Sequence, residues 1–162
     1  MSDDPAILER ALLVAAHECD VLHVHEVGGE NRGERVEEYL AAAGLGPGNP
    51  WCASFVTWCL RKAGYQGGPQ AGAGAVRYWA KWAEDRGRLL SGGAFARRGD
   101  LFLWLNEDGT GHTGFVCEVA RKLGFWWVRT LEGNSNEAGS REGDAVVRKW
   151  RAVTARFRFV RL

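Results

Sequence analysis

The stretch "GNPWCASFVTWCL", Gly48 to Leu60, holds two cysteines seven residues apart in an apolar run of helical length. Its reading decides the fold, because the chain before it has helical texture and most of the chain after it alternates. Pro50 lacks a backbone N–H, fixes its own φ and favours an extended Asn49, which makes it a natural entry to a helix. The spacing predicts that helix over about 51–63, stopped by Gly64. Cys52 then falls in the first turn, where unpaired N–H groups and the positive end of the helix dipole favour an anion, and it becomes a candidate nucleophile. Cys59 lies two turns on amid Phe55, Val56 and Leu60 and reads as a core thiol. A gap of seven is not the three or four that a metal-binding pair on a helix requires.

Working toward the N-terminus, "GLGPGNP" is the main breaker of the first half and Gly44 stops a helix predicted over about 33–43. Before it, "DVLHVHEVGGENRG" reads as a short extended piece and a turn. Asp4-Pro5 starts a first helix that runs to about residue 19 on apolar positions 7, 8, 11, 12, 14 and 15. Toward the C-terminus, the glycine-rich "GYQGGPQAGAGA" leads into a fourth helix, "VRYWAKWAEDRG". The texture then turns period-two and aromatic in "GDLFLWL", "HTGFVCEVA", "FWWVRTLEG", "DAVVRKW" and "RFRFVRL". Helices followed by antiparallel strands predict an α+β fold, helices packed on one face of a sheet of about five or six strands. We expect one domain over 1–162, helical over about 5–87 and sheet over about 99–162.

At 162 residues, with 46% apolar and 25% charged, the chain can bury a sizeable core, and a net charge of +1 gives no overall bias toward nucleic acid or anionic lipid. Basic residues gather near the end, interleaved with apolar ones in "ARFRFVRL", and read as the solvated face of an edge strand. The N-terminus "MSDDPAILERALLVAAHECD" has no basic region ahead of its interrupted apolar run, so no signal peptide is expected and synthesis as a soluble cytoplasmic product is. No stretch suggests membrane insertion. The four cysteines, Cys19, Cys52, Cys59 and Cys117, read as thiols.

A thiolate nucleophile needs a base. Of four histidines, His17, His23 and His25 precede Cys52, while "GTGHTGFV" puts His112 at the start of a strand. Alternation sets Gly114 on the same side of that strand, leaving room for another element, such as a helix end, to approach. The next strand ends in "TLEGNSN", where Glu132 and Asn134 project together with Gly133 pointing away. Either could hold the His112 tautomer and stabilise its imidazolium. The order of cysteine, histidine and polar residue on helix, strand and next strand is a papain-like arrangement.

"PWCASFVTWCL", "RRGDLFLW", "GTGHTGFV" and "TLEGNSN", in this order, resemble a CHAP domain, the cysteine- and histidine-dependent amidohydrolase/peptidase family of peptidoglycan hydrolases. The resemblance spans about residues 26 to 160 and implies a papain-like α+β fold. It implies Cys52 as nucleophile, His112 as base, Glu132 as orienting residue and Asn134 as a second polar partner. "GGENRG" resembles a stretch bordering the groove in one branch of the family, which makes Glu26 and Asn31 site candidates beside Trp51 and Asn49. Some members bind calcium through carboxylates just before the cysteine; "GLGPGNPWC" has none, so no metal and no cofactor are expected. The expected substrate is an amide of the cell-wall peptide, either the N-acetylmuramoyl-L-alanine bond or a peptide bond.

Other readings stay open at this level: a Cys-His acyltransferase or protein peptidase, a metal site in "HECDVLHVHE", or a non-catalytic binding module. Trp51, Trp79, Trp82, Trp104, Trp126 and Trp127 include candidates for stacking on sugars, although most tryptophans belong in cores. A wall hydrolase without a secretion signal suits a phage lysin or an antibacterial effector, reaching the wall after lysis or by specialised export. An immunity or delivery protein is then an expected partner, and the chain is expected to be a monomer.

Overall fold

A computed structural model describes residues 4–136 and 143–162. Helix α1 (Pro5–Asp20) starts as its sequence dictates: the Asp4 side chain accepts a hydrogen bond from the Ala6 N–H at 2.9 Å, and Pro5 takes the first turn. Helix α2 (Glu34–Ala42) follows, then α3 (Cys52–Lys62) and α4 (Val76–Glu84). Every residue of α3 from Cys52 to Leu60 is buried, so this helix has no polar face until Arg61 and Lys62. A helix apolar all round must lie inside, and α3 packs between α1, α2 and strands of the sheet.

The sheet is antiparallel, with strands β1 (Leu89–Ser91), β2 (Leu101–Leu105), β3 (Gly111–Lys122), β4 (Phe125–Ser135), β5 (Ala145–Ala152) and β6 (Arg158–Val160) in the order β1-β6-β2-β3-β4-β5. The expected α+β architecture is therefore present. The four predicted helices and five predicted strands all form, and the added strand is β1. "RFRFVRL" is not an edge strand: β6 lies between β1 and β2, covered on its outer side by β1. Burial explains the placement. Val160 faces the helix-side core and Phe159 the core on the other face, and neither is exposed at all. The Arg161 guanidinium, read as solvated, pairs with Asp100 at 2.6 Å.

Alternation thus divides the sheet between two cores. Leu101, Leu103, Phe115 and Leu131 join the helix-side core, while Phe102, Val116, Val128 and Phe159 form a second one with Phe157. The second face also carries His112, Gly114, Thr130 and Glu132 by the same alternation. The glycines divide the labour differently from the sequence reading. A Cβ on Gly114 would meet the Leu131 carbonyl, Glu132 Cγ at 2.9 Å and the Phe102 ring, so the space beside His112 admits Glu132, not a helix end. The helix comes close at Gly133 instead. A Cβ there would lie 2.7 Å from both Phe55 Cβ and the Trp51 ring.

The Gly133→Ala variant is expected to lose about 1–3 kcal/mol, as overpacked core sites do, whereas Gly46→Ala, with no atom near its Cβ position, should change stability little. Denaturant unfolding of both variants checks this; equal stability would mean that α3 does not rest on β4 at this point.

Candidate active site

Cys52 opens α3 and lies among the helix-side core residues. His112 is the second residue of β3, completely buried, and packs against Trp104 and Phe102 of β2, with ring centroids 5.1 and 5.9 Å away. The two residues therefore approach from opposite faces of the sheet. They meet at its rim, where β3 begins and β4 ends, because Gly133 lets the α3 N-terminus settle there.

Glu132, also completely buried, takes one ring nitrogen of His112: Nε2 lies 2.8 Å from Oε2. The other nitrogen, Nδ1, is buried without a well-aligned hydrogen bond and is left for the sulfur of Cys52. Catalytic contacts are commonly loose before substrate binds. Burial alone would drive the proton off His112. The Cys52 sulfur and the Glu132 carboxylate outweigh it and raise the His112 pKa from 6.5 to about 9. Burial would likewise protonate Glu132, but Arg151 and His112 together hold its carboxyl well below the usual range.

Arg151 and the other ligands of Glu132 escape the sequence reading. The Arg151 Nε and Nη2 atoms donate to Glu132 Oε1 and Oε2 at 2.5 and 2.6 Å, the Thr130 hydroxyl donates to Oε1 at 2.5 Å, and the Ser135 hydroxyl donates to Oε2 at 3.0 Å. Thr130 carries a faint sequence signal, since it stands two residues before Glu132 on a strand and so shares its face. Arg151 carries none, being nineteen positions away on another strand.

A cleft of about 340 Å³ opens at Cys52. Leu45, Asn49 and Pro50 line it from the turn before α3, residues 74–77 from the start of α4, and residues 108–111 from the β2–β3 turn; Cys52 and Asn134 complete it. Asn134 has left the alternation, with φ of 54° beside a register shift between Glu132 and Ser135. It lines the cleft, and of the two residues it is Glu132 that bonds His112. A Cβ on Gly74 would lie 2.5 Å from Leu45 Cδ1 and 3.0 Å from the Ser54 hydroxyl, so the wall closes on the turn before α3 only with a small residue there.

Trp51, Glu26 and Asn31 do not reach this cleft. Trp51 is completely buried, and its indole N–H donates to Glu26 Oε1 at 2.9 Å. Glu26 Oε2 accepts the Asn31 backbone N–H at 2.8 Å, and the Asn31 carbonyl accepts that of Gly48 at 3.0 Å. "GGENRG" braces the turn that precedes Cys52 from behind. Among the tryptophans proposed for sugar stacking, none lines the cleft, and Trp79 and Trp82 are buried. His23 and His25 are exposed, and among the described residues no three His, Cys, Asp or Glu side chains cluster to hold a metal ion. All four cysteines are free thiols.

The family model of the CHAP domain matches residues 44–134, more than half of the chain and a narrower span than the motifs suggested. The chain belongs to the CHAP domain family. The matched span of this CHAP domain contains Cys52, His112, Glu132 and Asn134, and leaves out α1, α2, β5 and β6. The family comprises cysteine- and histidine-dependent amidohydrolases and peptidases and is generally hydrolytic. No curated protein and no solved structure matches the chain.

The raised His112 pKa stabilises the fold fully below about 6.5, and this contribution is lost as pH rises through about 9. The His112 ring signal is expected to titrate near 9 by NMR and to move down in Glu132→Gln; a wild-type value near 6.5 would contradict the pairing. Iodoacetamide should label Cys52, which lines the cleft, ahead of the fully buried Cys59, as read by peptide mass mapping.

Proposed function

We propose that this chain is a peptidoglycan hydrolase that cuts an amide bond of the wall peptide, with Cys52 as nucleophile, His112 as acid and base, and Glu132 as the residue that orients His112. One observation carries the reading: Cys52 opens on the cleft at a helix N-terminus, and the buried pair of His112 and Glu132, 2.8 Å apart, stands behind it.

The Cys52 thiolate would attack the carbonyl carbon of the amide, pushing charge onto its oxygen. The Cys52 backbone N–H, at the start of α3, would receive that oxyanion. Asn49 also lines the cleft; its side-chain amide donates one hydrogen to the Gly46 carbonyl at 2.9 Å and has a second to offer. His112 then gives its proton to the leaving amine and the C–N bond breaks, leaving a thioester on Cys52. Water, deprotonated by His112, attacks the thioester, releases the carboxylate and regenerates the thiol.

The cleft can follow an extended peptide between the α4 wall and the β2–β3 turn, and it presents Arg77 on the first side and Asp108 on the second among uncharged residues. Free carboxylates are frequent on wall peptides, so a guanidinium there suits this substrate class. A partner protein that controls such a hydrolase would act by covering the same cleft.

The test is mass spectrometry of soluble fragments from purified peptidoglycan. Wild type should release fragments with a new amine and a new carboxylate, Cys52→Ala none, and Glu132→Gln fewer by on the order of 10²- to 10⁴-fold in kcat. The identity of the freed ends names the bond. Release of nothing by the wild type would overturn the reading. Turnover should fall as pH rises through about 9, where His112 loses the proton owed to the leaving group.

A further inference from the structure

We propose that Arg151 is a positioning residue of this site: by sharing the Glu132 carboxylate with His112, it fixes the plane of that carboxylate and moderates its hold on the imidazole. The inference rests on the hydrolase reading for its kinetic consequences and on geometry for the rest.

Arg151 stands on β5, an edge strand of the sheet, outside the span matched by the family model. Its fork takes both oxygens of Glu132, at 2.5 and 2.6 Å, and its side chain is only 13% exposed. The guanidinium lies over the Trp104 and Phe102 rings, 5.1 and 5.7 Å from their centroids. The same two rings pack against His112, so Arg151 and His112 share one aromatic platform with Glu132 between them. A carboxylate gripped at both oxygens cannot rotate, and the lone pair offered to His112 Nε2 keeps one direction.

The charges in the site add a second reason. A thiolate on Cys52, an imidazolium on His112 and a carboxylate on Glu132 leave one uncompensated negative charge in a buried site, and Arg151 brings the sum to zero. Among the described residues, the other charged groups nearby are engaged elsewhere, lie at the surface or, like Arg77, line the cleft on the α4 side. Lys149 on β5 donates to the Asn136 carbonyl, Arg156 donates to Asn106 Oδ1 at 2.6 Å, and Asp108 belongs to the exposed β2–β3 turn. Strand β2 carries no charge, and α3 offers only Cys52 at this end. With Arg151 gone, Glu132 keeps His112 as its one cationic partner among the described residues and pulls its proton harder, leaving His112 a poorer acid toward the leaving amine.

On its far side Arg151 lines an open hollow of about 380 Å³ with Trp104, Trp150, Thr154, Arg156 and Phe157. A small cation can reach the place of the guanidinium from there.

The experiment is a His112 titration by NMR together with kcat and KM on peptidoglycan. In Arg151→Gln the His112 value should rise above the wild type, and kcat should fall about ten- to a hundredfold with KM little changed. Arg151→Lys, which keeps the charge without the fork, should titrate near the wild type with part of the kcat loss; it also carries the test if the Gln variant fails to fold. Methylguanidinium added to Arg151→Ala should return His112 toward its wild-type titration and recover activity through the hollow. An unchanged or lowered His112 value in folded Arg151→Gln, or no response to methylguanidinium, would overturn the proposal. A wild type inactive on peptidoglycan would defeat the hydrolase reading instead, and the titration would still decide the role of Arg151.

Discussion

The contact of α3 with the backbone of Gly133 is the constraint on which the site depends. The helix is buried around its whole circumference, and its start comes closest to β4 where Gly133 lacks a side chain. That meeting brings the first turn of α3 to the residue next to Glu132, and through Glu132 to His112. The brace of Trp51 by Glu26 acts on the same turn from behind. The position of Cys52 is thus set by packing of its neighbours on both sides, with few degrees of freedom left to the thiol itself.

The second ordering principle is electrostatic. A fully buried carboxylate is costly unless its lone pairs are filled, and Glu132 fills them with two hydroxyls, an imidazole and a guanidinium. The donors come from β3, β4 and β5, so one side chain ties together three neighbouring strands at the rim where the sheet would otherwise fray. Structure and chemistry draw on the same ion: the network that makes the buried charge tolerable is the one that aims His112.

What could be read from the sequence was what is local. Asp4-Pro5 marks a helix start by capping chemistry and "GNPWC" marks one by its proline, and the alternation of "LFLWL" and "HTGFV" marks strands. The three chemical residues could be named because each sits in a short motif with glycine or proline beside it. What escaped was set by distant pairing. Nothing in "RLLSGG" announces β1, a three-residue strand that exists by pairing with β6, and without β1 the segment "RFRFVRL" looks like an edge. Trp51 reads equally well as a platform for substrate or as core, and only the carboxylate of Glu26 waiting at its indole decides. Asn134 was placed beside Glu132 by simple alternation, which a single left-handed residue breaks.

Because Cys52 and His112 reach the rim from opposite faces of the sheet, the site is an emergent property of both cores together. On a growing chain the thiol of Cys52 is made early and packs in a helical layer, while the balancing cation of Arg151 arrives with the penultimate strand. Until β5 docks, the carboxylate lacks its guanidinium partner and keeps only the donors of β3 and β4. A chain interrupted anywhere before β5 would therefore carry the motif of the family without the guanidinium that balances its buried carboxylate.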